Sequence, residues 1–294
     1  MSSESLSKDL SLPLAQPKLA AIRRWLPRRL GAHIFLTLAC LIVGFPLIYA
    51  IIVSTQSNAD VFAYRFTFGS ALADNLNTVL VARNLGTYMW NTVFTAVAVT
   101  VGKTVLSLLA GLAFVYFKFP GKWLVFGFVL LTLMMPTEIL IIALLRFVVI
   151  DLGWGSTYQA LIVPFIASAT GTFLFRQHFA NIPAELSEAA QLDGANPLQF
   201  LWRVLIPISW NTIGALAVIQ FVYVWNMYLW PRLVITDSSR QVVQVGLQSL
   251  ISTDTGLNYG PLMLGAVIAS IPPVIVFILL QKQFMSGFAL GRDK

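Results

Sequence analysis

Apolar residues along this chain gather into six long runs separated by polar stretches. Four runs carry no charge at all: residues 34–53, 156–175, 206–230 and 261–280. Two more carry isolated charges: 88–117 holds Lys103, and 123–150 holds Glu138 and Arg146. Crossing a bilayer takes roughly 20 apolar residues, so each run is long enough to span. Lipid offers no hydrogen bonds, so each backbone group must be paired within its own segment, and the runs predict six transmembrane helices. The fold class is therefore an all-α membrane protein: a polar lead over 1–33, a six-helix domain over 34–282 and a tail over 283–294. No internal repeat recurs at a fixed period.

Composition strengthens this reading. Hydrophobic residues make up 57% of the 294 residues and charged residues 11%, against about a quarter charged in a soluble domain. Orientation follows from the basic residues. With the N-terminus inside, thirteen of the 19 lie on the inner side, among them Arg23, Arg24, Arg28, Arg29, Lys118, Lys122, Arg176 and Arg203. Only Arg65, Arg83, Arg232 and Arg240 lie outside, a strong positive-inside bias. Both termini and the segment 183–202 are then expected in the cytoplasm. The net charge of +7 is mostly topological and needs no nucleic-acid partner. The cluster at Arg23–Arg29 either touches anionic lipid headgroups or anchors the first span. The first run follows too long a lead, with no small-residue cleavage site, to be a signal peptide. Cys40 is alone in its run, which excludes a disulfide framework.

Between the runs, 54–87 is the largest outer segment, with Asn58, Asp60, Asn75, Asn77 and Asn84 supplying turn chemistry. The linker 152–155 is short enough to make spans three and four a tight hairpin. Residues 241–251 read as a short amphipathic helix or strand lying on the outer surface. Pro46, Pro136, Pro164, Pro272 and Pro273 fall inside runs, where they kink helices and free carbonyls for neighbours.

The most informative polar stretch is 183–202. Pro183 suits a first helical turn, and Glu185 and Glu188 suit its positive dipole end. Gly194 suits the left-handed conformation that stops a helix. Asn196 followed by Pro197 caps a second short helix through Leu198–Trp202. The product is a bent helix pair, with Ala189 and Ala190 leaving bare backbone for close approach.

Glu188-Ala189-Ala190, three residues, Gly194, nine residues and Val204-Leu205-Ile206-Pro207 resemble the EAA signature of permease subunits in binding-protein-dependent ABC importers. Val204 and Ile206 stand where that family usually has Ile and Leu. Thr172-Phe-Leu-Phe175-Arg176-Gln177 and Trp225-Asn226-Met-Tyr-Leu-Trp230-Pro231 are similar to its carbohydrate-uptake (maltose-type) branch. The likeness runs from about Phe45 to Gly287. It implies a type I importer permease in a bacterial inner membrane, with an EAA coupling helix between spans four and five. Glu185, Glu188, Ala189, Ala190, Asp193, Gly194 and Pro207 would form the ATPase-coupling element. The implied partners are a homologous second permease, two copies of an ATP-binding subunit, a periplasmic or lipid-anchored solute-binding protein and membrane lipid. This chain would hold no cofactor, with ATP and Mg bound by the ATPase subunits. The implied substrate is glycerol-3-phosphate or a related glycerophosphodiester, with a neutral sugar or oligosaccharide as the alternative. The C-terminal 281–294 is similar to the family's cytoplasmic tail but departs from its usual ending.

Candidate substrate-path residues are Lys103, Glu138, Trp225, Asn226 and Tyr228. An ionisable side chain in lipid costs several kcal/mol, so Lys103 and Glu138 should face a bundle interior, a cavity or each other. Each lies sixteen residues into its run, at matching depth, so a structural Lys103–Glu138 pair competes with an anion-attracting role for Lys103. Aromatic rings beside Asn226 suit sugars and polyols, although an interfacial aromatic belt gives the same pattern. Gly102-Lys103-Thr104 is no phosphate-binding loop, because Val97 occupies the first glycine's place and the run is an apolar helix. Serine-hydrolase and zinc-protease motifs are absent from the sequence. His33 and His178 fall at predicted span ends and read as structural. An ion-coupled secondary transporter is the rival of another class. It predicts an inverted repeat around a midplane site, which this sequence does not display.

Overall fold

The computed structural model describes residues 30–251 and 257–289, and among these the regular structure is helical. The basic cluster at Arg23–Arg29, the turn at Thr253–Gly256 and the last residues of the tail lie outside the described residues. The chain divides into two units, 1–49 and 50–294. Helix α1 (Leu30–Val53) carries the first run and crosses from the first unit into the second. In the first unit Phe45 and Tyr49 stack one turn apart, with centroids 6.3 Å from each other.

The second unit is built on three long helices: α4 (Leu85–Tyr116), α12 (Trp210–Trp225) and α15 (Tyr259–Ala289). Helix α12 packs against both others, and α8 (Ala169–Ala180) packs along α4. Small residues let the backbones approach, as expected where lipid supplies no hydrophobic drive between helices. A Cβ on Gly111 would stand 2.8 Å from that of Phe175 on α8, and one on Gly171 would strike the Ser107 side chain. Two apolar clusters result along α4. One joins Leu85, Ala96 and Val99 to Phe221, Val224 and Leu264, and the other joins Leu108 and Leu112 to Phe175, Phe179, Phe200 and Leu216.

The predicted runs 88–117 and 261–280 are continuous helices, the second extending to Ala289. Run 156–175 is α7 (Tyr158–Ile162), a 3-10 turn and α8, together long enough to cross a membrane. The other two expectations need correcting. Run 123–150 is not one helix: α5 (Lys122–Leu133) stops and α6 (Thr137–Leu145) restarts after Pro136. Pro136 has no N–H to close the turn, and its ring pushes Met135 out of helical conformation. Run 206–230 bends by 80° between Ile208 and Trp210 and stops at Trp225. Asn226–Tyr228 then turn into α13 (Leu229–Val234). Among the described residues four helices are long and apolar enough to span, or five with that bent pair counted as one.

Two prolines inside apolar runs share one device. Pro273 cannot bond the Ala269 carbonyl, which instead accepts the Trp225 indole N–H at 3.1 Å. Pro164 likewise leaves the Ala160 carbonyl free, and Trp230 Nε1 donates to it at 2.9 Å. Both tryptophans are buried, at 2% and 3% exposure. Trp230→Phe is expected to orphan the Ala160 carbonyl and cost about 1–3 kcal/mol, read as a lowered melting midpoint of the purified complex. An unchanged midpoint would show that the indole bond contributes nothing.

The polar connections are hydrogen-bonded as well. Gln56 Nε2 donates to the Arg65 and Thr67 carbonyls, and Asn75 Nδ2 to those of Ser54 and Gln56. This gathers 54–77, which includes α3 (Leu72–Leu76), against the end of α1. Ser57 caps α2 (Asn58–Phe62), and its hydroxyl, donating to Asp60, holds that carboxyl below its usual pKa of 3.8, with the Ser57 amide and Arg65 adding to the effect. Asn91 near the start of α4 donates to the Ser239 and Gln241 carbonyls and accepts from Tyr158. The stretch 241–251 resolves as helix α14 (Val243–Ile251).

Candidate functional site

The 183–202 stretch forms a compact helix pair. Pro183, at φ −55° and ψ 134°, precedes α9 (Ala184–Leu192), and Glu185 lies in its first turn beside the positive helix end. Gly194 takes φ +74°, and the following amide, from Ala195, returns to the Ala190 carbonyl at 2.9 Å. Asn196 and Gln199 then exchange side-chain and amide bonds of 2.8 and 2.9 Å, a capping box opening α10 (Pro197–Phe200). A π-helical turn, Leu201–Leu205, leads through the three-residue α11 (Ile206–Ile208), which holds Pro207, into the bend before α12.

This pair has a seated side and a bare side. Phe200, Leu201 and Leu205 are buried in the cluster with Phe175 and Phe179, and Tyr116 meets Phe200 edge-on at 5.1 Å. Glu185, Glu188, Ala189, Asp193 and Gly194 are exposed. Ala190 packs against the cluster, and Ala189 faces out. Sequence reasoning missed the three most exposed large apolar side chains here: Leu192 at 90% exposure, Trp202 at 74% and Leu198 at 63%. Their signal was present, as bulky apolar residues inside an otherwise polar connection. Such a rigid, part-apolar, part-acidic face is suited to a protein partner.

The path candidates separate into two places. Lys103, midway along α4, is buried at 7% exposure, and its Nζ donates to Gln220 Oε1 on α12 at 2.8 Å. The ammonium also lies 4.8 Å from the centroid of the Tyr223 ring, a cation–π distance. Neither Gln220 nor Tyr223 was singled out from sequence, although Gln220 is an isolated amide in an apolar run. The expected Lys103–Glu138 pair rests on a side chain outside the described ones; Glu138 itself is in α6. Toward the far end of α12, Trp225 is buried, with its indole N–H bonded to the Ala269 carbonyl. Asn226 is exposed, with Nδ2 on the Val222 carbonyl and Oδ1 accepting from Gln244, and Tyr228 is 39% exposed.

Among the described residues, apolar helices with proline breaks, one buried cation and an exposed part-apolar, part-acidic face fit a membrane transport component. Residues 103–288 match the family of binding-protein-dependent transport system inner membrane components, and the chain belongs to it. It is 39% identical to an sn-glycerol-3-phosphate transport system permease protein of Rhizobium meliloti over 265 residues, 87% of this chain and 94% of the relative. The corresponding permease of Agrobacterium fabrum is 38% identical over 269 residues, 88% and 95% of the two chains. The crystal structure of a bacterial ABC transporter that imports the acidic polysaccharide alginate contains a chain similar at TM-score 0.75 and 22% identity. It covers 93% of this chain and all of that one, which shows the shared fold. The protein is thus an inner-membrane permease component of an ABC importer.

Proposed function

We propose that this permease carries glycerol-3-phosphate or a related glycerophosphodiester, paired with a homologous second permease and driven by two cytoplasmic ATPase subunits that bind ATP and Mg. A solute-binding protein delivers the substrate. The observation that carries the substrate is the likeness to permeases named for glycerol-3-phosphate along nearly their whole length. Six spans follow if 123–150 and 206–230 are each counted as one broken crossing. The thirteen-to-four basic asymmetry then sets both termini and the α9–α10 pair in the cytoplasm. There the pair serves as the coupling element. Glu185, Glu188 and Asp193 form charge-assisted bonds to the ATPase, Ala189 allows close approach, Leu192, Leu198 and Trp202 supply apolar contact, and Gly194 and Pro207 set the bends. Lys103, Glu138, Asn226 and Tyr228 line the path, with Trp225 bracing it.

The test is ATP-driven uptake in vesicles holding the full complex and its loaded receptor. Labelled glycerol-3-phosphate should accumulate only with ATP. Uptake of a neutral disaccharide in its place would move the substrate to the alternative class. Accumulation driven by an ion gradient without ATP would replace the importer with a secondary transporter.

A further inference from the structure

We propose that Lys103, Gln220 and Thr100 form a phosphoryl-anion site in the permease path, with the Tyr223 ring as its cover. This rests on the reading of the substrate as a phosphorylated solute. A buried ammonium in a lipid-embedded bundle needs compensation. The described residues offer it one amide oxygen, at 2.8 Å, and one aromatic face. Among them the only ion pair is Arg65–Asp60, at 3.0 Å. An ammonium carries three donors, so two N–H groups remain without an acceptor among these residues.

Its surroundings are shaped for an acceptor rather than another donor. Gln220 gives its oxygen to Lys103, and its NH2 group makes no hydrogen bond among the described residues. Thr100 lies one turn before Lys103 on the same face of α4, and its buried hydroxyl also has no partner among the described residues. Lys103, Gln220 Nε2 and Thr100 Oγ1 are thus three donor groups with unused capacity in one stretch of the α4–α12 contact. A phosphate monoester presents several strong acceptor oxygens and negative charge, whereas a neutral sugar leaves the ammonium uncompensated. Tyr223 is 46% exposed while its ring lies against the ammonium, so it is the element between Lys103 and the open side of α12. A rotation of that ring uncovers the charge.

The rival is a purely structural lysine that ties α4 to α12. Gln220→Glu separates the two, because it keeps the shape and gives the ammonium a permanent counter-ion. In the reconstituted complex with saturating loaded receptor, Gln220→Glu and Lys103→Met are expected to cut glycerol-3-phosphate uptake about tenfold or more, the effect of losing a charge-assisted hydrogen bond. Receptor-stimulated ATP hydrolysis should persist, so fewer substrates cross per ATP. Lys103→Arg should retain much of the uptake. Wild-type uptake by Gln220→Glu, with a raised melting midpoint, would establish the structural tie and overturn the site. Failure of the wild-type complex to take up glycerol-3-phosphate would instead overturn the substrate reading on which the site rests.

Discussion

Gly194→Val is expected to uncouple transport from ATP hydrolysis, with substrate uptake per ATP falling at least about tenfold. The glycine holds φ +74°, and no atom lies within 4 Å of where a Cβ would stand. The penalty is therefore one of backbone conformation alone, about 1–2 kcal/mol for an L-residue held left-handed and worse for a β-branched one. The chain relieves that strain by opening the turn between α9 and α10, which misdirects the exposed face of Glu188, Ala189, Leu192 and Leu198. Asn tolerates the left-handed region, so Gly194→Asn should keep most of the coupling. Receptor-stimulated ATP hydrolysis and uptake measured on the same vesicles check both variants. Wild-type coupling in the valine variant would remove α9–α10 from the transmission of motion.

The largest loss of stability is expected from Gly111→Leu. A Cβ alone would stand 2.8 Å from Phe175 Cβ, 3.1 Å from the Phe175 carbonyl carbon and 3.2 Å from a ring carbon of Phe179. One of these contacts is backbone, so α8 must shift away from α4, and overpacking of this kind costs about 1–3 kcal/mol or more. The Phe175–Phe179–Phe200 cluster that seats the coupling pair loosens with it. Gly127→Leu on α5 is the control, because nothing lies within 4 Å of its Cβ position. Thermal melting of the two purified complexes should differ by several degrees. Equal midpoints would show that α4 and α8 do not pack through Gly111.

The long helices α4 and α15 were legible because an uninterrupted apolar run in lipid has one way to satisfy its backbone. The turn chemistry of 183–202 was legible for a different reason: Pro183, Gly194, Asn196 and Pro197 each have a narrow conformational preference, and all four agree. Broken spans were harder to read. Run 123–150 is as apolar as its neighbours, and hydropathy registers the composition of Met134–Pro136 but not the missing N–H. Buried partners were hardest. Depth along the chain favoured Glu138 for Lys103, a pairing that rests on a side chain outside the described ones; that Gln220 and Tyr223 also meet the ammonium depends on the rotation of α12 about its axis. Trp225 was read by residue type as a sugar platform or belt anchor. Only the register of α12 against α15 reveals the carbonyl it answers.

The indole bonds to Ala160 and Ala269 bear on how the bundle can flex. A helix interrupted by proline ordinarily hinges there at little cost. Here any swing about Pro273 must either rupture the bond from Trp225 or carry α12 along as one stiff beam. That beam leads directly through the bend near Ser209 to the π-helical turn and α10. The proline acts less as a free joint than as a pinned axle, so deformation at one end of α12 is delivered to α15 instead of being absorbed.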